Sequence, residues 1–201
     1  TRWSRFSKYA RCILIGLPSW FVVGVLVTFS PEFAKALRIS GEIKAAYAVS
    51  ILYLGLTVGD LASGLLTQWI GSRRKVVLGF ILLTVAWTAA YFLSADAGAR
   101  WFYTVIFGLG VGIGYWAVFV TIGAEQFGTN LRSTVATTVP NFVRGSLVPI
   151  TLLFKFCKDD PRLGLLPAAM LVGAICIGLA LWALHGLEET HGKDLDYFEP
   201  V

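Results

Sequence analysis

The stretch Ala45–Ile70 reads AAYAVSILYLGLTVGDLASGLLTQWI, an apolar run broken by one charge, Asp60. A helix rises 1.5 Å per residue, so a run of this length can cross a hydrocarbon core of about 30 Å. Ser50, Tyr53, Thr57, Asp60, Gly64 and Thr67 recur at alternating spacings of three and four, which places them on one helical face. A charged side chain at bilayer depth costs about 2.5–3.5 kcal/mol even on the lenient insertion scale and normally faces a bundle interior or a watery path. Small and polar residues also hold membrane helices together, so the stripe is either a helix–helix seam or a solvated, partner-facing surface. The aspartate at its centre favours the second.

Five further apolar runs flank this one. The predicted spans are residues 12–29, 45–70, 76–95, 101–124, 134–156 and 163–184, followed by an acidic tail over 185–201 with Glu188, Glu189, Asp194, Asp196 and Glu199. The 201 residues are 56% hydrophobic and 14% charged, with a mean hydropathy of +0.71, against about 25% charged in a soluble domain. The runs lack the alternation of barrel strands. The first is too long for a signal-peptide core and has no small-residue cleavage site after it. The sequence therefore predicts an all-α membrane protein with six transmembrane helices in a single domain over residues 1–201. Thr1 is not an initiator and Met170 is the only methionine, so the chain is expected to be a fragment or processed piece.

The net charge of +5 comes from basic residues spread among loops, which argues against a nucleic-acid surface. Two clusters stand out: Arg2, Arg5, Lys8 and Arg11 at the start, and Arg73, Arg74 and Lys75 after the second span. Six alternating spans put both on one side, and basic residues beside helix ends mark the cytoplasmic side. Both termini are then cytoplasmic, in an integral plasma (inner) membrane protein. Cys12, Cys157 and Cys176 have no paired spacing and read as small apolar residues. His185 and His191 form no ligand constellation. No residue grouping is catalytic, no cofactor or metal is implied, and an enzyme is not expected.

Span one places Gly16, Trp20, Gly24 and Thr28 four apart, with Pro18 near its start and Pro31 ending it. The following loop has room for a short interfacial helix. Span four holds Gly108, Gly110, Gly112 and Gly114 before Tyr115 and Trp116; the glycines permit close helix contact, and the aromatics either project into a cavity or simply pack. Span five carries Thr137, Thr138, Pro140, Asn141, Arg144, Gly145 and Pro149. Prolines and glycine in a membrane helix are tolerated where neighbours or water re-satisfy the backbone. Asp60 and Arg144 each lie ten residues from the basic-side end of their spans, about 15 Å deep and so mid-core. They either line a polar path or form a packing pair; the first is expected, without a direct contact between them. Each also sits in the second helix of its triplet, the placement that an inverted three-plus-three repeat produces.

The loop Gly64-Leu-Leu-Thr-Gln68-Trp69-Ile70-Gly71-Ser72-Arg73-Arg74-Lys75 resembles the Gly-x-x-x-Asp-Arg-x-Gly-Arg-Arg/Lys signature of the major facilitator superfamily. Gln68 replaces its Asp and Trp69 its Arg, as in the weaker copy of the second half of such proteins. Glu125-Gln-Phe-Gly-Thr-Asn-Leu-Arg132 is similar to the Glu-x-Phe-Pro-Thr-x-x-Arg pattern, with Gly128 for Pro, and Glu189-Thr-His-Gly192 to the Pro-Glu-Thr-Lys-Gly tail of sugar-porter-like members. The arginine of the family's fourth helix has no counterpart in span four. The resemblance covers essentially the whole chain. It implies the C-terminal half, a 3+3 inverted repeat, of a twelve-helix sugar-porter-like or metabolite–proton symporter-like transporter.

The partners so implied are an N-terminal six-helix half, membrane lipid, a small polar solute and a coupling proton. The substrate-cavity candidates are Trp20, Tyr53, Thr57, Asp60, Tyr115, Trp116, Asn141 and Arg144. Glu125 and Arg132 flank a short turn and can meet Arg73 or Arg74 in a cytoplasmic gating network. The competing expectations are a non-transporting sensor or interaction module of the same fold, and a half that homodimerises.

Overall fold

The computed structural model describes residues 2–193 and 196–198; Asp194 and Glu199 of the acidic tail lie outside the described residues. Helix α1 (Arg2–Leu14) starts well before predicted residue 12. The cations that were expected to precede the span have acceptors within the bundle. Lys8 Nζ donates to the Gln126 carbonyl (3.1 Å), Arg11 Nη1 donates to that of Gly186 (2.7 Å), and the Arg11 guanidinium lies 5.2 Å from the Trp182 ring centre. The helix breaks at Ile15–Gly16 and resumes as α2 (Leu17–Phe21), with Pro18 in its first turn. A π-helical segment, Val22–Val27, follows, and then α3 (Ser30–Ala36), with Pro31 in its first turn.

The remaining elements are α4 (Ala45–Ile70), α5 (Arg73–Phe92), α6 (Ala99–Ile113), α7 (Trp116–Glu125), α8 (Thr129–Gly145), α9 (Leu147–Lys158) and α10 (Leu165–His185). Gly71 closes α4 at φ +66°, a conformation that glycine adopts without a Cβ clash. Ser72 Oγ then caps α5 by accepting from the Lys75 amide. The described residues form helices and their connections, with a single isolated bridge between Ser40 and Gly98.

Five helical segments are long and apolar enough to cross a membrane: Trp3–Val27, Ala45–Ile70, Arg73–Phe92, Ala99–Glu125 and Leu165–His185. This is the make-up of an α-helical integral membrane protein. The predicted span 134–156 is not among them. It forms two helices, α8 and α9, that meet at Ser146, and its first half carries Thr137, Thr138, Asn141 and Arg144.

Burial separates central from peripheral segments. The apolar windows of Trp3–Val27 and Ala99–Glu125 are each 67% buried, against 22% for Ala45–Ile70. Helix α4 thus touches the bundle along one narrow edge. That edge is made of glycine: Gly55 and Gly59 meet the backbone of Phe107, Val111 and Gly114. A Cβ on Gly59 would sit 2.8 Å from Gly114 Cα and nearer still to the Val111 carbonyl oxygen, so α4 packs backbone to backbone on α6.

Two apolar clusters fill the interior. One surrounds Phe33, Tyr91, Phe102 and Phe154, where the Tyr91 hydroxyl donates to the Leu26 carbonyl (2.8 Å). The other holds Tyr115, Phe119, Val139 and Leu184 toward the opposite helix ends. At the first cluster's end, residues 37–40 zip against 96–99 through Asp96 N to Leu37 O, Ser40 N to Ala97 O and Ala99 N to Ser40 O, each 2.9 Å. Arg38 and Asp96 pair across the same seam (3.1 Å).

Candidate functional site

Helix α6 ends at Ile113 and α7 begins at Trp116, so the glycine-rich span is interrupted in its middle. The interruption frees the first amides of α7. Asp60 Oδ1, from the exposed side of α4, accepts the Ala117 amide at 3.2 Å. A carboxylate at a helix N-terminus meets unsatisfied N–H groups and the positive end of the helix dipole. The Gly59–Gly114 contact lets α4 come close enough for this, because a side chain at either position would hold the two backbones apart.

Arg144 approaches the same turn from α8. Its guanidinium carbon lies 5.6 Å from the Trp116 ring centre, and Nη1 donates to Asn141 Oδ1 (3.2 Å). Trp116 in turn meets Trp20 edge-on at 6.2 Å. Asp60 and Arg144 therefore contact consecutive residues of α7, the first at a backbone amide and the second at the Trp116 ring. Among the described residues they form no ion pair with each other.

The polar stripes of α4 and α8 flank this turn. Ser50, Tyr53 and Thr57 are exposed and Asp60 half-buried; Thr134, Thr137, Asn141 and Arg144 are exposed. Both quartets follow the spacing three, four, three. Between them α7 presents Ala117, which is exposed, and Trp116 and Thr121, which are half-buried. Two of the eight cavity candidates turn their hydroxyls onto backbone carbonyls. Tyr115 is fully buried and its hydroxyl donates to the Ile15 carbonyl (2.9 Å), and Thr57 Oγ1 is turned back onto the Tyr53 carbonyl (2.9 Å).

A second constellation closes the charged end of the bundle. Arg73 and Glu125 form an ion pair, with side chains 20% and 11% exposed. Arg74 donates from Nη2 to the His185 carbonyl (3.2 Å). Arg132 stands in the first turn of α8, whose Thr129 amide donates to the Tyr197 carbonyl (2.7 Å).

The organiser of this end is Glu189, a residue outside the expected gating network. Its carboxylate accepts the Ser72 hydroxyl, the amides of Arg73 (3.1 Å) and Arg74 (3.2 Å), and those of Thr190 (3.0 Å) and His191 (3.1 Å). Burial alone would raise its pKa, but the Ser72 hydroxyl and the surrounding amides outweigh it and bring the carboxyl down to about 2. Gln126 fastens the next residue, donating from Nε2 to the Glu188 carbonyl (2.7 Å). The tail thus ties the start of α5 to the end of α7, and Lys8 and Arg11 of α1 join the same cluster through the Gln126 and Gly186 carbonyls. The available signal was that Glu189 lies in an acidic tail opposite the unsatisfied amides that follow Ser72.

Compared with protein-family models, curated proteins and solved structures, the chain matches none. Among the described residues no group of three His, Cys, Asp or Glu is placed to hold a metal ion. The upper constellation offers an acid, a cation, an amide and indole faces on an open surface, which is equipment for binding a polar solute. The lower one offers charge contacts between helix ends that can form or break.

Proposed function

We propose that this chain is the C-terminal half of a secondary transporter resembling the major facilitator superfamily, which moves a small polar organic solute across the plasma (inner) membrane by alternating access. The observation that carries this reading is the Asp60 carboxylate on the N-terminus of α7, inside an interrupted apolar segment and facing out of the bundle. Interrupted helices whose N-termini meet anionic groups are how transporters build binding sites at bilayer depth. In this reading α8 and α9 together make the fifth of six crossings, bent at Ser146, and both termini are cytoplasmic. The matched spacing of the α4 and α8 stripes supports an inverted three-plus-three repeat, whose polar faces would meet an N-terminal half around a central path.

Asp60 would take up and release the coupling proton, while Arg144 and Asn141 hold polar groups of the solute over the Trp116 and Trp20 rings. Arg73–Glu125 and the Glu189 clasp would latch the cytoplasmic side in one state. Breaking them in the other state would bias a two-state equilibrium by a few kcal/mol.

The test is uptake into proteoliposomes by the protein expressed from its complete reading frame, with labelled organic acids, sugars and amino acids, with and without a pH gradient. We expect one class to accumulate and Asp60→Asn to abolish accumulation at unchanged protein levels. Folded protein that moves none of them, by uptake or counterflow, would favour the sensor reading.

A further inference from the structure

A cavity of about 690 Å³ lies away from the polar face, between the start of α5 and the end of α10. Arg74, Lys75 and His185 line it together with Ser72 and Glu189. Lys75 is exposed and, among the described residues, in no ion pair, and Arg74 spends one nitrogen on a backbone carbonyl. The Glu189 carboxylate faces one hydroxyl and four amides and forms an ion pair with neither cation, so the two cations and the one carboxylate leave the cavity with a net positive charge.

The wall toward the bilayer is carbon: Leu78 is 41% exposed, and Leu181 and Leu184 face it from α10. The crevice continues along the same two helices. Lys75, Leu78, Leu82, Val85 and Ala89 follow one another at spacings of three and four on α5, as Met170, Ala174, Ile177 and Leu181 do on α10. Val85 lies about 15 Å beyond Lys75 along the helix. There a second cavity of about 410 Å³ opens, lined by apolar side chains from both helices and by Thr88. The offset matches the hydrocarbon depth of one leaflet, about 15 Å.

We propose that the α5–α10 crevice is a binding site for an anionic phospholipid, its phosphodiester held by Arg74 and Lys75 and one acyl chain laid along Leu78 and Leu82 into the second cavity. A cationic chamber at the helix ends joined to an apolar one a leaflet deeper fits a lipid better than a free phosphate, which would have no use for the second chamber. Basic recesses between membrane helices are recognised head-group sites.

Native mass spectrometry of the purified protein, titrated with long-chain phosphatidylglycerol or phosphatidylcholine, tests this. Two cations near the head group, offset by the Glu189 carboxylate, predict about a fivefold preference for the anionic lipid. Lys75→Ala should cut it about fivefold without altering the fold, since that side chain is exposed. Leu82→Gln should weaken long-chain phosphatidylglycerol but leave dihexanoyl-phosphatidylglycerol unchanged. Equal retention of the two head groups in wild type would overturn the proposal. So would inorganic phosphate displacing the lipid as well as dihexanoyl-phosphatidylglycerol does, which would make this a phosphate site only.

Discussion

Gly59 and Gly64 lie on the same helix five residues apart, yet alanine should act oppositely at the two. At Gly59 the added methyl would sit 2.8 Å from Gly114 Cα and 3.0 Å from Val111 Cα, and closer to the Val111 carbonyl. The obstacle is backbone on both sides, so relief requires moving α4 off α6. Overpacking of this kind costs about 1–3 kcal/mol, offset in part by the roughly 0.5–1 kcal/mol by which alanine outperforms glycine in a helix. Around Gly64 no atom lies within 4 Å, so only the gain remains. The helix gain is common to both, so the two variants should differ by the overpacking cost alone, about 1–3 kcal/mol, or about 2–12 °C in melting temperature for a chain of this size. Thermal unfolding in detergent, followed by circular dichroism, reads this directly. Gly59→Ala should also lose transport beyond its stability loss, because the displacement pulls Asp60 from the Ala117 amide. If both variants melt at or above wild type, the close approach of α4 and α6 is wrong.

Three further outcomes follow from the two constellations. Asp60→Asn retains an oxygen for the Ala117 amide, so the fold should stay intact while pH-driven uptake is lost; a fall in expressed protein instead would make Asp60 a structural cap. Glu125→Gln should cost about 1–2 kcal/mol, between the surface and fully buried limits for an ion pair, and the reversed pair Arg73→Glu with Glu125→Arg should recover part of it in the same melting assay. Glu189 binds its partners as the anion and its folded pKa lies near 2, below the ordinary 4.5, so its stabilisation is complete above about pH 4.5 and is lost as pH falls through 2. Hydrogen exchange at the Arg73 and Arg74 amides should therefore remain slow down to about pH 3 in wild type, and be fast already at pH 7 in Glu189→Ala.

Most of the apolar runs and the α4 stripe with Asp60 in mid-helix were legible because hydropathy and helical period determine them, whereas Arg144, expected in the middle of one long helix, stands in the last turn of α8. The break at Gly114–Tyr115 was not. Four alternating glycines are compatible with a straight, closely packed helix or with a gap, and the choice rests on whether another element satisfies the freed amides. Asp60 does so from fifty-seven residues away, a contact that no local pattern encodes. The early start of α1 was hidden for a similar reason, since Lys8 and Arg11 look like solvent-side charges until their acceptors, the Gln126 and Gly186 carbonyls, are in place. Tyr115 and Trp116 are neighbours of like chemistry, and only packing shows that one points inward to Ile15 and the other outward to Arg144.

Water access to the shared face of α4 and α8 bears most directly on whether it lines a path. Thr57→Cys and Asn141→Cys, each on a background lacking Cys12, Cys157 and Cys176, can be labelled in native membranes with a membrane-impermeant maleimide applied from either side. Leu82→Cys serves as the lipid-facing control. The transport account predicts that both face positions react, that the reactive side switches with pH or solute, and that Leu82→Cys stays unlabelled. Face positions as inert as the control from both sides would contradict it.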